Sequence, residues 1–161
     1  MASFVQRLIE SRTISVRTQA SDWETAVRIG GTLMVDAGLI EQRYVEAIIE
    51  NHKTTGPYFV IAPGIAMPHA KPERGVLQTG YALVTLEEPV AFGDPDNDPV
   101  DILIFAGAIN REEHNHEAVP QIAELCDSPQ YIQQLREAST TDEVQRALTE
   151  FAAALEAGEL S

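Results

Sequence analysis

Gly56-Pro57-Tyr58-Phe59-Val60-Ile61-Ala62-Pro63-Gly64-Ile65-Ala66-Met67-Pro68-His69-Ala70-Lys71-Pro72-Glu73 is the stretch on which the reading of this chain turns. Tyr58 to Ala62 is short, apolar and partly β-branched, the pattern of a buried strand. Gly56-Pro57 closes whatever helix precedes it. Pro63, Gly64 and Pro68 make the residues after the strand a constrained loop, and Pro68 presets the backbone directly before an imidazole. A side chain fixed at the end of a rigid sheet is what nucleophilic chemistry requires. His69 is therefore the first candidate for chemistry. The competing reading is a loop histidine that is hydrogen-bonded and inert.

Working outward, Phe4, Val5, Leu8 and Ile9 share one face of an opening helix. Thr13 to Thr18 alternates as a strand would. Ser21-Asp22-Trp23-Glu24 has the form of a capping box, opening a helix that carries Val27, Leu33 and Met34 and stops at Gly38. Gly30-Gly31 inside that helix is locally unfavourable, so a close neighbour is expected there. A second helix is predicted from Glu41 to about Lys53, with Tyr44, Val45, Ile48 and Ile49 inward and His52 on its surface. Two further strands, Thr79 to Leu86 and Val100 to Ala108, flank the turn-rich 93–99 segment. The C-terminal third is helical, with Ser128-Pro129 and Thr140-x-x-Glu143 marking helix starts. Strands mixed with helices predict one α/β domain over residues 1–161, a three-layer α/β/α sandwich with a mixed sheet flanked by helices.

Composition bounds the partners. Twenty-five acidic and 11 basic side chains leave a formal net charge of −14, which argues against nucleic acid and against an anionic membrane surface. The same charge suits a basic protein partner. One cysteine, Cys126, allows no intramolecular disulfide. Its setting in Ile122-Ala123-Glu124-Leu125-Cys126 reads as a small, buried or half-buried core residue of a helix. No stretch has the roughly 18 apolar residues that a bilayer span needs, so the expected location is cytoplasmic.

Three other histidines complete the inventory: His52, His114 and His116. The last two follow the strand ending near Ala108, and both strand ends projecting to one edge would bring one of them near His69. Spaced two apart, they cannot share a helical face. Asp94, Asp96, Asp98 and Asp101 lack the Gly and Glu spacing of a calcium loop and read as a solvated acidic turn.

The 56–73 segment closely resembles the active-site segment of mannitol/fructose-type (type-2) IIA proteins of sugar phosphotransferase systems, and within them the ascorbate branch. Asp96-Asn97-Asp98-Pro99-Val100-Asp101-Ile102-Leu103-Ile104 is similar to the same branch, as is the order of strand, polar stretch, His114 and helix. The similarity covers essentially the whole chain. It implies that His69 accepts a phosphoryl group from the phosphohistidine of the carrier HPr, with a tele-phosphohistidine intermediate. It further implies transfer to a cysteine of the IIB component, and a membrane IIC acting downstream. The second family histidine matches His114, with His116 as the alternative, and a basic family position matches Lys53. Ala70, Lys71 and Arg74 are candidates for holding phosphoryl oxygens. The resemblance implies no nucleotide, cofactor or metal. Pro120 departs from the family pattern, since a proline fits only the first turn of a helix. Two rival readings stand beside the relay: a regulatory module of the same fold switched by phosphorylation, and a metal-dependent hydrolase using His69, His114 and Asp98. A homodimer is left open.

Overall fold

The computed structural model describes residues 3–160. Apolar residues at helical spacing build α1 (Ser3–Ser11), α2 (Trp23–Asp36), α3 (Gln42–Thr55), α5 (Val119–Cys126), α6 (Pro129–Glu137) and α7 (Thr141–Glu156). A single turn, α4 (Arg111–Glu113), precedes a π-helical turn at His114–Ala118. The strands are β1 (Ile14–Thr18), β2 (Val60–Ala62), β3 (Ile65–Ala66), β4 (Gly80–Val90) and β5 (Val100–Gly107). They form one mixed sheet in the order β1-β4-β5-β3-β2. β1 with β4 and β3 with β5 are parallel pairs, whereas β4 with β5 and β2 with β3 are antiparallel.

Alternation along the two central strands sorts their side chains onto two faces. Tyr81, Leu83, Ile102, Ile104 and Ala106 join a core with α1, α5, α6 and α7. Ala82, Val84, Leu103 and Phe105 join a second core with α2 and α3. The expected three layers are thus present, with helices on both faces. Gly30 and Gly31 sit where helices meet neighbours closely. A Cβ on Gly30 would fall 2.1 Å from the Phe105 ring, and one on Gly31 2.6 Å from Val45.

Several local expectations need correction. Asp22, not Ser21, caps α2, its carboxylate accepting the Thr25 amide at 2.8 Å. Glu24 is turned instead to Arg28 and Lys53. Residues 58–62 are not a buried strand: only Val60–Ala62 pairs, at the sheet edge, and Ile61 is exposed. The following "loop" contains β3, because Gly64 at φ +75° turns the chain back to pair with β5. His52 is buried, not on the surface, with its ring against Trp23 and its Nε2 2.8 Å from the Phe92 carbonyl. Cys126, by contrast, is as expected a half-buried residue packed against the first core, and burial pushes its thiol up to about 11.

Candidate functional site

Parallel pairing decides where the histidines meet. β3 and β5 run side by side, with Ile65 opposite Ile102 and Ala66 opposite Leu103, so both chains leave the sheet at the same end. β3 continues through Met67 and Pro68 to His69, and the Ala106 amide still donates to the Pro68 carbonyl at 3.1 Å. β5 continues to Asn110, whose side chain accepts the Glu113 amide at 2.8 Å and starts the turn bearing His114. The two imidazoles stack with centroids 5.1 Å apart and planes 29° apart.

The His69 ring is fixed from behind. Its Nδ1 lies 2.7 Å from the Met67 carbonyl, so the nitrogen carries the hydrogen and donates it. That tautomer leaves the Nε2 lone pair directed away from the backbone. Burial lowers the His69 pKa below its ordinary 6.5, partly offset by the Met67 contact. His114 is lowered as well, by burial first and then by His69. Both rings are consequently neutral at pH 7, as nucleophilic chemistry at Nε2 requires.

Two tyrosines hold the loop carrying His69. The Tyr58 hydroxyl donates to the His69 carbonyl, and its ring meets the imidazole edge-on at 5.5 Å. The Tyr44 hydroxyl, buried, accepts the Ala70 amide at 2.9 Å and lies 3.0 and 2.9 Å from the Ala70 and Ala106 carbonyls. Burial raises the Tyr44 pKa, which keeps it a neutral hydrogen-bonding pin.

An open cleft of about 690 Å³ lies over the histidine pair. Its walls include Asn51, Tyr58, Ala70, Asn115 and the cations Arg43, Lys71 and Arg111. Arg43 is engaged with the Glu41 carboxylate at 3.0 Å and the Glu73 carbonyl at 3.1 Å. Glu73 also lines the cleft, so with Arg43 paired to Glu41 it is Lys71 and Arg111 that offset the acidity of this net −14 protein there.

The sequence candidates separate accordingly. His69, His114, Ala70 and Lys71 come together at this cleft. The Ala70 amide is already taken by Tyr44. His116 lies in a different depression, among Glu112, Glu113 and Glu117, so His114 is the histidine that meets His69. Lys53 is not at the cleft; it pairs with Glu24 at 3.2 Å. Arg74 is exposed on a 3₁₀ turn (Pro72–Arg74) and is not among the lining residues. Sequence reasoning missed Arg43, Arg111, Tyr44 and Tyr58. Tyr58 and Tyr44 carried no chemical motif, and Arg43 reaches the cleft only through the packing of α3. Arg111 sits three residues before His114 and was legible from that spacing.

Asp98 is not a partner of the histidines. Its carboxylate accepts the amides of Phe92, Gly93 and Asp94 ahead of β5, whereas His114 follows the opposite end of that strand. The His69–His114–Asp98 arrangement of a hydrolase is therefore not assembled. Among the described residues no group of three or more metal-ligating side chains converges, and no helix is long and apolar enough to cross a membrane.

A mixed sheet between two helical layers thus carries a stacked histidine pair where two parallel strands end. The chain belongs to the family of the phosphoenolpyruvate-dependent sugar phosphotransferase system, EIIA 2, whose model matches residues 7–151. It is 44% identical over 137 residues to the ascorbate-specific PTS system EIIA component of Escherichia coli K12, covering 85% of this chain and 89% of that protein. A crystal structure of a PTS IIA (PtxA) from Streptococcus mutans superposes with a TM-score of 0.86 at 35% identity, covering 96% and 97% of the two chains. The Escherichia coli enzyme IIAMTL, solved in complex with phosphorylated IIBMTL, superposes at 0.75 with 27% identity, covering 86% and 94%.

Proposed function

We propose that this protein relays a phosphoryl group on His69, taking it from phospho-HPr and delivering it to a cysteine of a IIB component that serves L-ascorbate uptake in the cytoplasm. The observation that carries the reading is the Nδ1-to-Met67 hydrogen bond beneath a cleft, which leaves Nε2 as the nucleophile. The Nε2 lone pair attacks phosphorus while the donor's P–N bond breaks and its electron pair returns to the donor nitrogen. Retaining Nδ1–H leaves positive charge on the phosphorylated ring, which the Met67 carbonyl stabilises. That charge also makes the ring a good leaving group for the second transfer, in which the IIB thiolate forms the S–P bond and Nε2 regains its pair.

In-line transfer spreads charge over three phosphoryl oxygens, so positioning and electrostatics supply most of the catalysis. His114, stacked beside His69, offers a ring N–H to those oxygens, and Lys71 and Arg111 supply cationic donors on the cleft wall. Ala70 serves as wall and as the anchor to Tyr44, its amide being spent there.

The ascorbate reading rests on the likeness to ascorbate-specific relatives, and its test is discharge. Phosphorylated protein is mixed with a purified ascorbate-type IIB or a mannitol-type IIB, and phosphoryl loss is followed by mass. Rapid discharge by the ascorbate type alone is expected. Preference for the mannitol type would reassign the substrate, and resistance to both would make the protein a phosphorylation-switched regulator.

A further inference from the structure

We infer that Arg7, at the other end of the sequence, is a positioning residue that aims His114 at His69; the inference rests on the relay reading above. His114 opens a π-helical turn whose hallmark is the Val119 amide bonding back to the His114 carbonyl. Such a turn is wider than a regular one and is found mostly as a local insertion at functional sites. Here it also absorbs Pro120, which has no N–H to donate and would crowd a regular helix. A wide turn has weaker internal restraint, so something outside it must set its register.

Arg7 on α1 supplies that restraint. Its Nε lies 3.0 Å from a Glu117 carboxylate oxygen and its terminal nitrogen 3.2 Å from Glu113. Glu113 immediately precedes His114 and Glu117 sits within the π-turn, so one planar guanidinium bridges the two carboxylates that bracket the imidazole. Each carboxylate is anchored a second time, at or just before the start of β4. Glu113 accepts from Thr79 at 2.7 Å, and Glu117 accepts from Tyr81 at 2.5 Å. Thr79 in turn accepts the Ile109 amide at 3.0 Å, tying in the chain that leads to His114. Arg7 itself touches neither imidazole and does not line the cleft. Only a bidentate fork spans both acids; a lysine ammonium keeps the charge and loses the span.

The test is a double-mutant cycle on the rate of phosphoryl acceptance from phospho-HPr, with Arg7→Lys and Arg7→Ala in wild-type and His114→Ala backgrounds. Misplacing a reacting group by about an ångström costs up to roughly 100-fold, so a slowing of roughly 10- to 100-fold is expected in wild type. Little or no further loss is expected on His114→Ala, because the two residues act as a unit. Nuclear Overhauser contacts between the His69 and His114 rings should weaken in Arg7→Lys while the remaining amide spectrum keeps its dispersion. Equal slowing in both backgrounds, or undisturbed ring contacts in Arg7→Lys, would overturn the inference while leaving the relay intact. Full activity of His114→Ala would remove the premise about His114 and the inference with it.

Discussion

At the scale of the residue, everything turns on the protonation state of one ring. Burial lowers the pKa of His69 from 6.5, so Nε2 stays unprotonated through neutral pH. In the proposed relay, protonation would occupy the lone pair that is to attack phosphorus, so the acceptance rate should fall only as pH drops through the lowered value. A rate–pH profile should have its acid limb centred below 6.5. An acid limb centred above 6.5 would mean that His69 is stabilised as a cation and is not the poised nucleophile. The loop setting and the proline before His69 were legible in the sequence. The carbonyl that fixes its tautomer was not, because the contact of the ring with the Met67 carbonyl depends on the backbone path and rotamer adopted in the fold.

At the scale of the element, the site depends on a parallel pair flanked by tightly seated helices. The second and third helices and the two long strands were legible from periodicity and turn residues, with their ends displaced by a few residues. β3 was not: two residues carry no period, and its strand character comes from pairing with β5. His52 was misread because the Trp23 and Phe92 rings that help bury it are remote in sequence, and Phe59 meets it only once the chain has turned past the end of α3. The glycine pair in α2 was read correctly as a close approach. Gly30→Ala gains about 0.5–1 kcal/mol of helix propensity, yet its Cβ would sit 2.1 Å from a ring atom of Phe105. Overpacking of a filled core costs roughly 1–3 kcal/mol and wins. Urea unfolding of Gly30→Ala should thus show a net loss, and a gain in stability would show that the Phe105 ring yields freely.

At the scale of the whole molecule, the two depressed histidines couple folding to pH. Unfolded, each imidazole titrates near 6.5; folded, each titrates lower. Below 6.5 the unfolded chain binds more protons than the native one, so this contribution to stability is present above 6.5 and is lost as pH falls toward the folded values. The acidic surface, with its net charge of −14, adds its own pH dependence. The histidine contribution is isolated by difference: the stability of wild type minus that of His69→Gln should rise between pH 5 and pH 7. A difference that falls over that range would reverse the sign of the shift. The fold class, the acidic surface and the setting of the central histidine were legible in the chain before any coordinate, whereas Arg43 joins Lys71 and Arg111 at the cleft only through the fold. The central claim, that His69 carries the phosphoryl group, is tested most directly by intact-protein mass after incubation with phosphoenolpyruvate, enzyme I and HPr. Wild type should gain one acid-labile phosphoryl group and folded His69→Ala none; equal phosphorylation of the two would contradict the account.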